Sequence, residues 1–284
     1  MLMSNRPLWL TAAAAILAMA LSGCGGGGGN AAVTNVSATG VAYSRTLTVS
    51  VNGAGLLVGG LTMTVEGPCG AVTKAANGTD LLAQFTCKVE GTGLLIPRIH
   101  DASGTELASM RLTVPLPQVI VVVKQGDRSG TFTLELDPVA APISTKNFID
   151  YMAAGFYANT IFHRVEAGSR VEGGGYTAGP TAKVELFSPI AVESDNGLKN
   201  LRATIGVARG DANDSSTSQF YINLADNPQF DRVSDAQAGR AVFGKVISGM
   251  DIVDEIGKVE TAASGGFPKL PVSDVTITLA QQSK

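Results

Sequence analysis

Between residues 33 and 114 the chain is written in short runs whose apolar residues fall at every second position, which commits this stretch to β-structure. Arg45-Thr-Leu-Thr-Val-Ser-Val51, Leu61-Thr-Met-Thr-Val65 and Phe85-Thr-Cys-Lys-Val89 all alternate, and glycine-containing breaks separate them. A period of two sends successive side chains to opposite faces of a strand, so each run offers one apolar face and one wet one. No helical periodicity intervenes. Two such sheets bury their apolar faces by stacking on each other, which predicts a small β-sandwich over residues 33–115.

At 284 residues the chain exceeds the usual single-domain size, and with 45% hydrophobic residues two domains can each build a core. The boundary falls in Val114-Pro-Leu-Pro-Gln118, where two prolines stiffen an extended connection. Beyond it, over residues 116–284, the pattern changes. Residues 119–123 and 130–136 read as paired strands, and Pro142 opens a capped helix in which Phe148, Ile149 and Met152 form an apolar stripe before Gly155 ends it. Further strand-like segments fall at 161–165, 204–208, 220–224, 242–247 and 275–279, and a second helix at about 250–256 has Ser248 near its start. Many strands with two helices suit a closed β-barrel capped at its ends. The preceding sandwich is expected to be immunoglobulin-like, although no tryptophan lies between Cys69 and Cys87 to recreate the inter-sheet pair of antibody domains. Asp80, Glu90 and His100 are scattered there and read as solvated surface, leaving a spacer or docking role for that domain.

The first residues read as an address. Arg6 supplies a positive start, residues 7–21 are almost continuously apolar, and Leu21-Ser22-Gly23-Cys24 closes the segment with small residues before a cysteine. This resembles a bacterial lipobox, whereas a plain signal peptide ends in an Ala-x-Ala pattern and a spanning helix needs about 20 apolar residues. The resemblance implies a signal peptide over 1–23, lipidation of Cys24 and a membrane tether. Gly25 stands where an aspartate commonly retains lipoproteins at the inner membrane, which points to the outer membrane, facing the periplasm. Residues 24–32 then form the lipidated cysteine and a glycine-rich linker of flexible coil. With Cys24 so used, Cys69 and Cys87 remain as the one possible pair, and an oxidising compartment favours their disulfide over two unpaired thiols. Their spacing excludes a CxxC redox site, and with His100 and His163 the sole histidines no metal or other cofactor is expected. A net charge of −3 without a Lys/Arg cluster excludes a nucleic-acid surface, because phosphate binding needs concentrated positive charge.

Three groups of residues carry a more specific message. They are Phe162-His163-Arg164-Val165 with Gly173-Gly174-Gly175, then Ser218-Gln219-Phe220-Tyr221-Ile222-Asn223, then Val242-Phe243-Gly244-Lys245-Val246. In this order they resemble the cyclophilin family of peptidyl-prolyl cis-trans isomerases, over residues 118–279. The resemblance implies a closed eight-stranded barrel capped by two helices, and proline-containing polypeptides as clients. It makes Arg164 the catalytic residue and Phe162, His163, Glu172, Ala208, Gln219, Tyr221 and Phe230 the substrate-binding set. Tyr221 falls where a phenylalanine usually walls the proline pocket, and His163 is read as a packed strand histidine, since isomerisation transfers no proton.

Such a reaction needs no nucleophile. Amide resonance opposes rotation with a barrier of about 18–20 kcal/mol, and the twisted transition state gives the nitrogen a lone pair that accepts a hydrogen bond.

The departures from the family pattern concern the pocket. Members commonly read Gly-Phe-Met-x-Gln-Gly-Gly where this chain has Gly168-Ser169-Arg170-Val171-Glu172-Gly173-Gly174. Two apolar pocket residues become polar or charged, so the proline site is expected to be wetter. Glu172 replaces a glutamine that normally orients the arginine and is expected to pair with it through its charge. Gln229 and Arg209 stand where an aromatic residue and an asparagine are usual. Two function classes follow: a membrane-tethered isomerase assisting exported proteins, or a catalytically weak proline-binding or envelope-interaction module.

Overall fold

The computed structural model describes residues 19–20, 31–210 and 212–284, so Cys24, the lipobox and the glycine run lie outside the described residues. The chain divides into two compact units, one ending at Val114 and the other spanning Pro115–Lys284.

The first unit is built of strands alone among its described residues. They are β1 (Met19–Ala20), β2 (Ala32–Thr39), β3 (Thr46–Ala54), β4 (Thr62–Glu66), β5 (Thr73–Lys74), β6 (Leu82–Lys88), β7 (Gly93–His100), β8 (Glu106–Ser109) and β9 (Leu112–Val114). One sheet runs β1-β2-β3-β6-β5, and a second is formed by β4, β7, β8 and β9. The period-two runs behave as their pattern demands. Leu47, Val49 and Val51 of β3 and Ala83, Phe85 and Cys87 of β6 are buried, and they share one cluster with Met63, Leu95 and Ile99 of the other sheet. A disulfide joins Cys69, in the passage from β4 to β5, to Cys87 of β6, with Cα atoms 5.9 Å apart. The bridge therefore pins the crossing segment between the sheets onto β6.

The second unit contains β10 (Gln118–Gln125), β11 (Arg128–Leu136), α1 (Pro142–Ala153), β12 (Thr160–Glu166), β13 (Arg170–Thr177), β14 (Thr181–Ala182), β15 (Thr204–Val207), β16 (Phe220–Asn223), β17 (Val242–Ser248), α2 (Met250–Ile256), β18 (Thr261–Ser264), β19 (Phe267–Pro271) and β20 (Thr276–Gln282). Neighbouring strands run β12-β20-β10-β11-β17-β15-β16-β13, and β13 pairs again with β12, which closes an antiparallel eight-stranded barrel. The fold is thus mainly β, with a closed barrel and two helices. Helix α1 buries Phe148, Ile149, Tyr151 and Met152. Phe148 stacks on Tyr157 at 4.9 Å between centroids and meets Phe220 and Phe243 at 5.6 and 5.5 Å, an aromatic core whose paired rings add to the gain from area buried.

The ends of α1 show two different solutions to the unpaired backbone groups of a helix. At its C-terminus Gly155, in the left-handed region at φ 69°, lets Phe156 N–H reach Tyr151 O and Gly155 N–H reach Met152 O, a Schellman arrangement. At the N-terminus Pro142 lacks an N–H, and Ala141 provides no side-chain cap. The cap comes from elsewhere: the Glu193 carboxylate accepts from Ile143 N–H at 2.9 Å and Ser144 N–H at 2.6 Å. A negative group there also suits the positive end of the helix dipole.

Gly173, Gly174 and Gly175 of the first motif group lie inside strand β13. Packing overrides their poor strand preference. A Cβ on Gly174 would sit 3.0 Å from the rings of both Phe220 and Tyr157, so the core can close only over a bare backbone.

Candidate active site

The site is built on adjacent barrel strands β12, β13 and β16. Registers Arg164↔Glu172 and Glu172↔Tyr221 place the three strands side by side. A register shift between Phe162 and Arg164 breaks the alternation of β12, so Phe162 enters the core while Arg164 surfaces. Bulges re-aim side chains in this way. Phe162 is fully buried with its ring 6.0 Å from Phe220, which puts it beneath the site and not on its surface.

Arg164 is half-exposed, and its partner is Glu166, two residues along the same strand, which accepts from Nε at 3.0 Å and also from Nη2. The expected Arg164–Glu172 pair does not form. The Glu172 carboxylate lies between two other groups, with Oε1 3.7 Å from His163 Nε2 and Oε2 3.4 Å from Arg170 Nε. Arg170 Nη1 returns to Glu166 Oε2 at 3.3 Å. Arg164, Glu166, Arg170 and Glu172 therefore form one chain of alternating charge across the β12–β13 hairpin, which ends against the His163 ring. Glu166 was absent from the sequence-derived set, although its spacing of two from Arg164 placed it on the same strand face.

The pocket is also drier than expected. Arg170 is buried at 4% exposure, and its guanidinium lies over the Phe230 ring, 4.6 Å from the centroid. Arg240, which sequence reading overlooked, lies over the same ring at 5.5 Å and over Tyr221 at 5.9 Å. A guanidinium is planar and weakly hydrated, so stacking on an aromatic face replaces the water a lysine would keep. Ser169 Oγ donates to Asn227 Oδ1 at 3.2 Å, and Asn227 Nδ2 donates back to Ser169 O at 3.0 Å. Its hydroxyl is thus committed to the loop that carries Phe230.

Burial raises the Glu172 carboxyl pKa, but His163 and the charges of Arg170 and Arg240 more than offset this and hold it below the ordinary carboxylate value. Burial depresses the Arg170 guanidinium, opposed by Glu166 and Glu172. His163 is 4% exposed, its ring held between Tyr176 at 4.6 Å and Phe267 at 5.9 Å.

The remaining residues form the other wall. Tyr221 is fully buried and donates to Asn200 Oδ1 at 2.5 Å, and burial pushes its hydroxyl pKa well up. Its hydroxyl fits because Gly206, paired opposite on β15, has no Cβ: one there would lie 2.2 Å from Tyr221 Oη. Ala208 is buried, and its N–H donates to Gln219 O at 2.9 Å. Gln219 is half-buried beside Gly175, and its side-chain amide makes no hydrogen bond to the described residues. The strands thus bring Arg164, Gln219 and the Tyr221–Phe230 ring pair to one region, with centroids of that pair 6.1 Å apart. Among the described residues no cluster of His, Cys, Asp and Glu is suited to hold a metal ion.

The closed antiparallel barrel places Arg164 on β12 and Gln219 just before β16, with β13 between the two strands. The profile described as cyclophilin type peptidyl-prolyl cis-trans isomerase/CLD matches residues 120–282. Peptidyl-prolyl cis-trans isomerase A of Dickeya dadantii is 45% identical over 153 residues, 54% of this chain and 80% of that protein. Peptidyl-prolyl cis-trans isomerase of Acinetobacter baylyi is 44% identical, covering 56% and 85%. Peptidyl-prolyl cis-trans isomerase B of Escherichia coli is 46% identical, covering 48% and 84%. The chain belongs to the cyclophilin family, and its second unit is a peptidyl-prolyl cis-trans isomerase.

Proposed function

We propose that the chain is a lipid-anchored isomerase of the cell envelope, acting on proline-containing segments of exported proteins, with Arg164 as its catalytic residue. The observation that carries the chemistry is the pairing of a fixed donor with a free one. Arg164 is half-exposed and held by Glu166, while the Gln219 amide, just before β16, has no partner among the described residues. Gln219 and the backbone about Ala208 hold the client, and Arg164 donates to the prolyl nitrogen as it pyramidalises. A planar amide offers that nitrogen no lone pair, so the bond forms chiefly at the transition state, and each 1.4 kcal/mol or so of this preference gives about tenfold in rate.

The tether rests on Leu21-Ser22-Gly23-Cys24, with outer-membrane placement resting on Gly25. The first unit is read as an immunoglobulin-like spacer or docking module that, with the glycine run, carries the barrel clear of the lipid. A second reading, a binding module with little turnover, draws support from Arg170, which occupies the Phe230 ring face where a proline would rest.

Exchange NMR of a proline peptide with the purified protein decides between them. Arg164→Ala is expected to remove turnover and keep most of the binding; equal exchange rates for parent and variant would exclude catalysis by Arg164. For the tether, Cys24→Ser is expected to block lipid attachment, and unchanged mass with unchanged membrane fractionation would rule out the lipoprotein assignment.

A further inference from the structure

The pocket around Phe230 carries more positive charge than its own carboxylates neutralise. Three guanidinium groups, Arg164, Arg170 and Arg240, face two carboxylates, Glu166 and Glu172, within the charge chain. The next carboxylate, Asp231, is already engaged: its Oδ1 accepts from Asn200 N–H at 2.8 Å and its Oδ2 lies 3.8 Å from Lys199 Nζ. Arg240 forms no ion pair among the described residues; its Nη1 reaches only the Arg209 carbonyl, at 3.4 Å. Arg240 and Phe230 are both half-buried, so the surplus charge borders an aromatic wall that a client reaches.

Seating a proline with uncharged neighbours here strips water from guanidinium groups and returns nothing polar. A carboxylate beside the ring restores the lost hydration with charge-assisted hydrogen bonds, and a guanidinium binds a carboxylate in two-pronged geometry. We infer that the isomerase site is selective for prolyl segments bearing a carboxylate next to the proline, with Arg240 as the specificity-determining residue. This deepens the isomerase reading and rests on the Phe230 wall being the proline site. The carboxylate has two possible sources, an acidic side chain flanking the proline or the terminal carboxylate of a chain ending in proline.

Titration of the purified protein with matched peptides tests it, with Glu-Pro, Gln-Pro and Lys-Pro in one neutral frame and a fourth peptide ending in proline. Tighter binding of Glu-Pro than Gln-Pro by about fivefold or more at low salt is expected, with Lys-Pro weakest and the difference shrinking in 1 M salt. Preference for the fourth peptide alone would assign the carboxylate to a chain end. Arg240→Gln should bring the Glu-Pro to Gln-Pro ratio close to one, and Arg240→Lys should keep part of it. Equal affinities in the parent protein, or no binding of any peptide, overturn the inference. Exchange rates on the same samples report separately on catalysis, since a protein that prefers Glu-Pro and isomerises nothing keeps the selectivity and loses the isomerase reading.

Discussion

Arg164 donates through Nε to Glu166 at 3.0 Å, and this short-range pair sets the position of the guanidinium on the strand face. Glu166 also lies 3.3 Å from Arg170 Nη1, so one carboxylate holds the catalytic candidate and the buried pocket arginine together. Glu166→Gln keeps the shape and removes the charge. A neutral amide holds a guanidinium less firmly, so turnover at saturating peptide should fall by roughly tenfold while affinity changes much less. Exchange NMR and titration on the same variant separate the two, and a fall in affinity with unchanged turnover would count against the positioning role.

Arg170 is expected to be structural, since it is buried between two carboxylates. Replacing it by methionine, the residue usual in the family, removes a buried cation from between Glu166 and Glu172 and leaves both carboxylates short of a partner. Breaking one side of a buried ion pair costs about 3–5 kcal/mol, so Arg170→Met should lower the urea midpoint of the barrel sharply. Arg170→Met with Glu172→Gln should recover part of that loss, because the stranded charge is gone. A single variant as stable as the parent would mean that the charge chain contributes nothing to folding.

How much of this was legible in the sequence depended on range. The alternation of residues 45–51 needed only local reading, because strand geometry alone decides which faces Leu47, Val49 and Val51 occupy. The end of α1 was equally local, with Gly155 as its visible stop. The N-terminal cap was not, since Glu193 lies 50 residues from Ile143 and only barrel closure brings them together. The same holds at the site. Arg164 and Gln219 were visible as motif residues, and Glu166 could have been found by counting two along the strand. The expected pairing of Glu172 with Arg164 is not seen because strand register sets Cα neighbours, not side-chain partners: Glu172 lies opposite Arg164 and still turns to His163 and Arg170. The stacking of Arg170 and Arg240 on Phe230 depends on where the loop before β17 returns, which no local pattern encodes.

The disulfide makes a prediction confined to the first unit. Cys69 and Cys87 are separated by 18 residues, and a loop of that size is worth about 3 kcal/mol in the chain-entropy description. Reduction should lower the unfolding midpoint of residues 31–114 and spare the barrel, whose sequence contains no cysteine. Differential scanning calorimetry with and without reductant checks this. A shift of the barrel transition, or full alkylation of both thiols in unreduced, denatured protein, would contradict it.

Glu172 gives the stability of the barrel a defined pH dependence. Its carboxyl is affected first by burial, which raises the pKa, and then by His163, Arg170 and Arg240, which together bring it below the ordinary value. A pKa lower in the folded state means that folding favours the ionised form. That contribution is fully present above the unfolded value, near 4.3, and is lost as pH falls through the lower folded value. Glutamine at this position cannot titrate and lacks the contribution at every pH. The stability gap between the parent and Glu172→Gln should therefore close as the solution is acidified below about 4. Urea midpoints across that range, with unchanged m-values, measure the gap directly. If it widened on acidification, the carboxyl would have to be raised in the folded state, and burial would outweigh the surrounding positive charge.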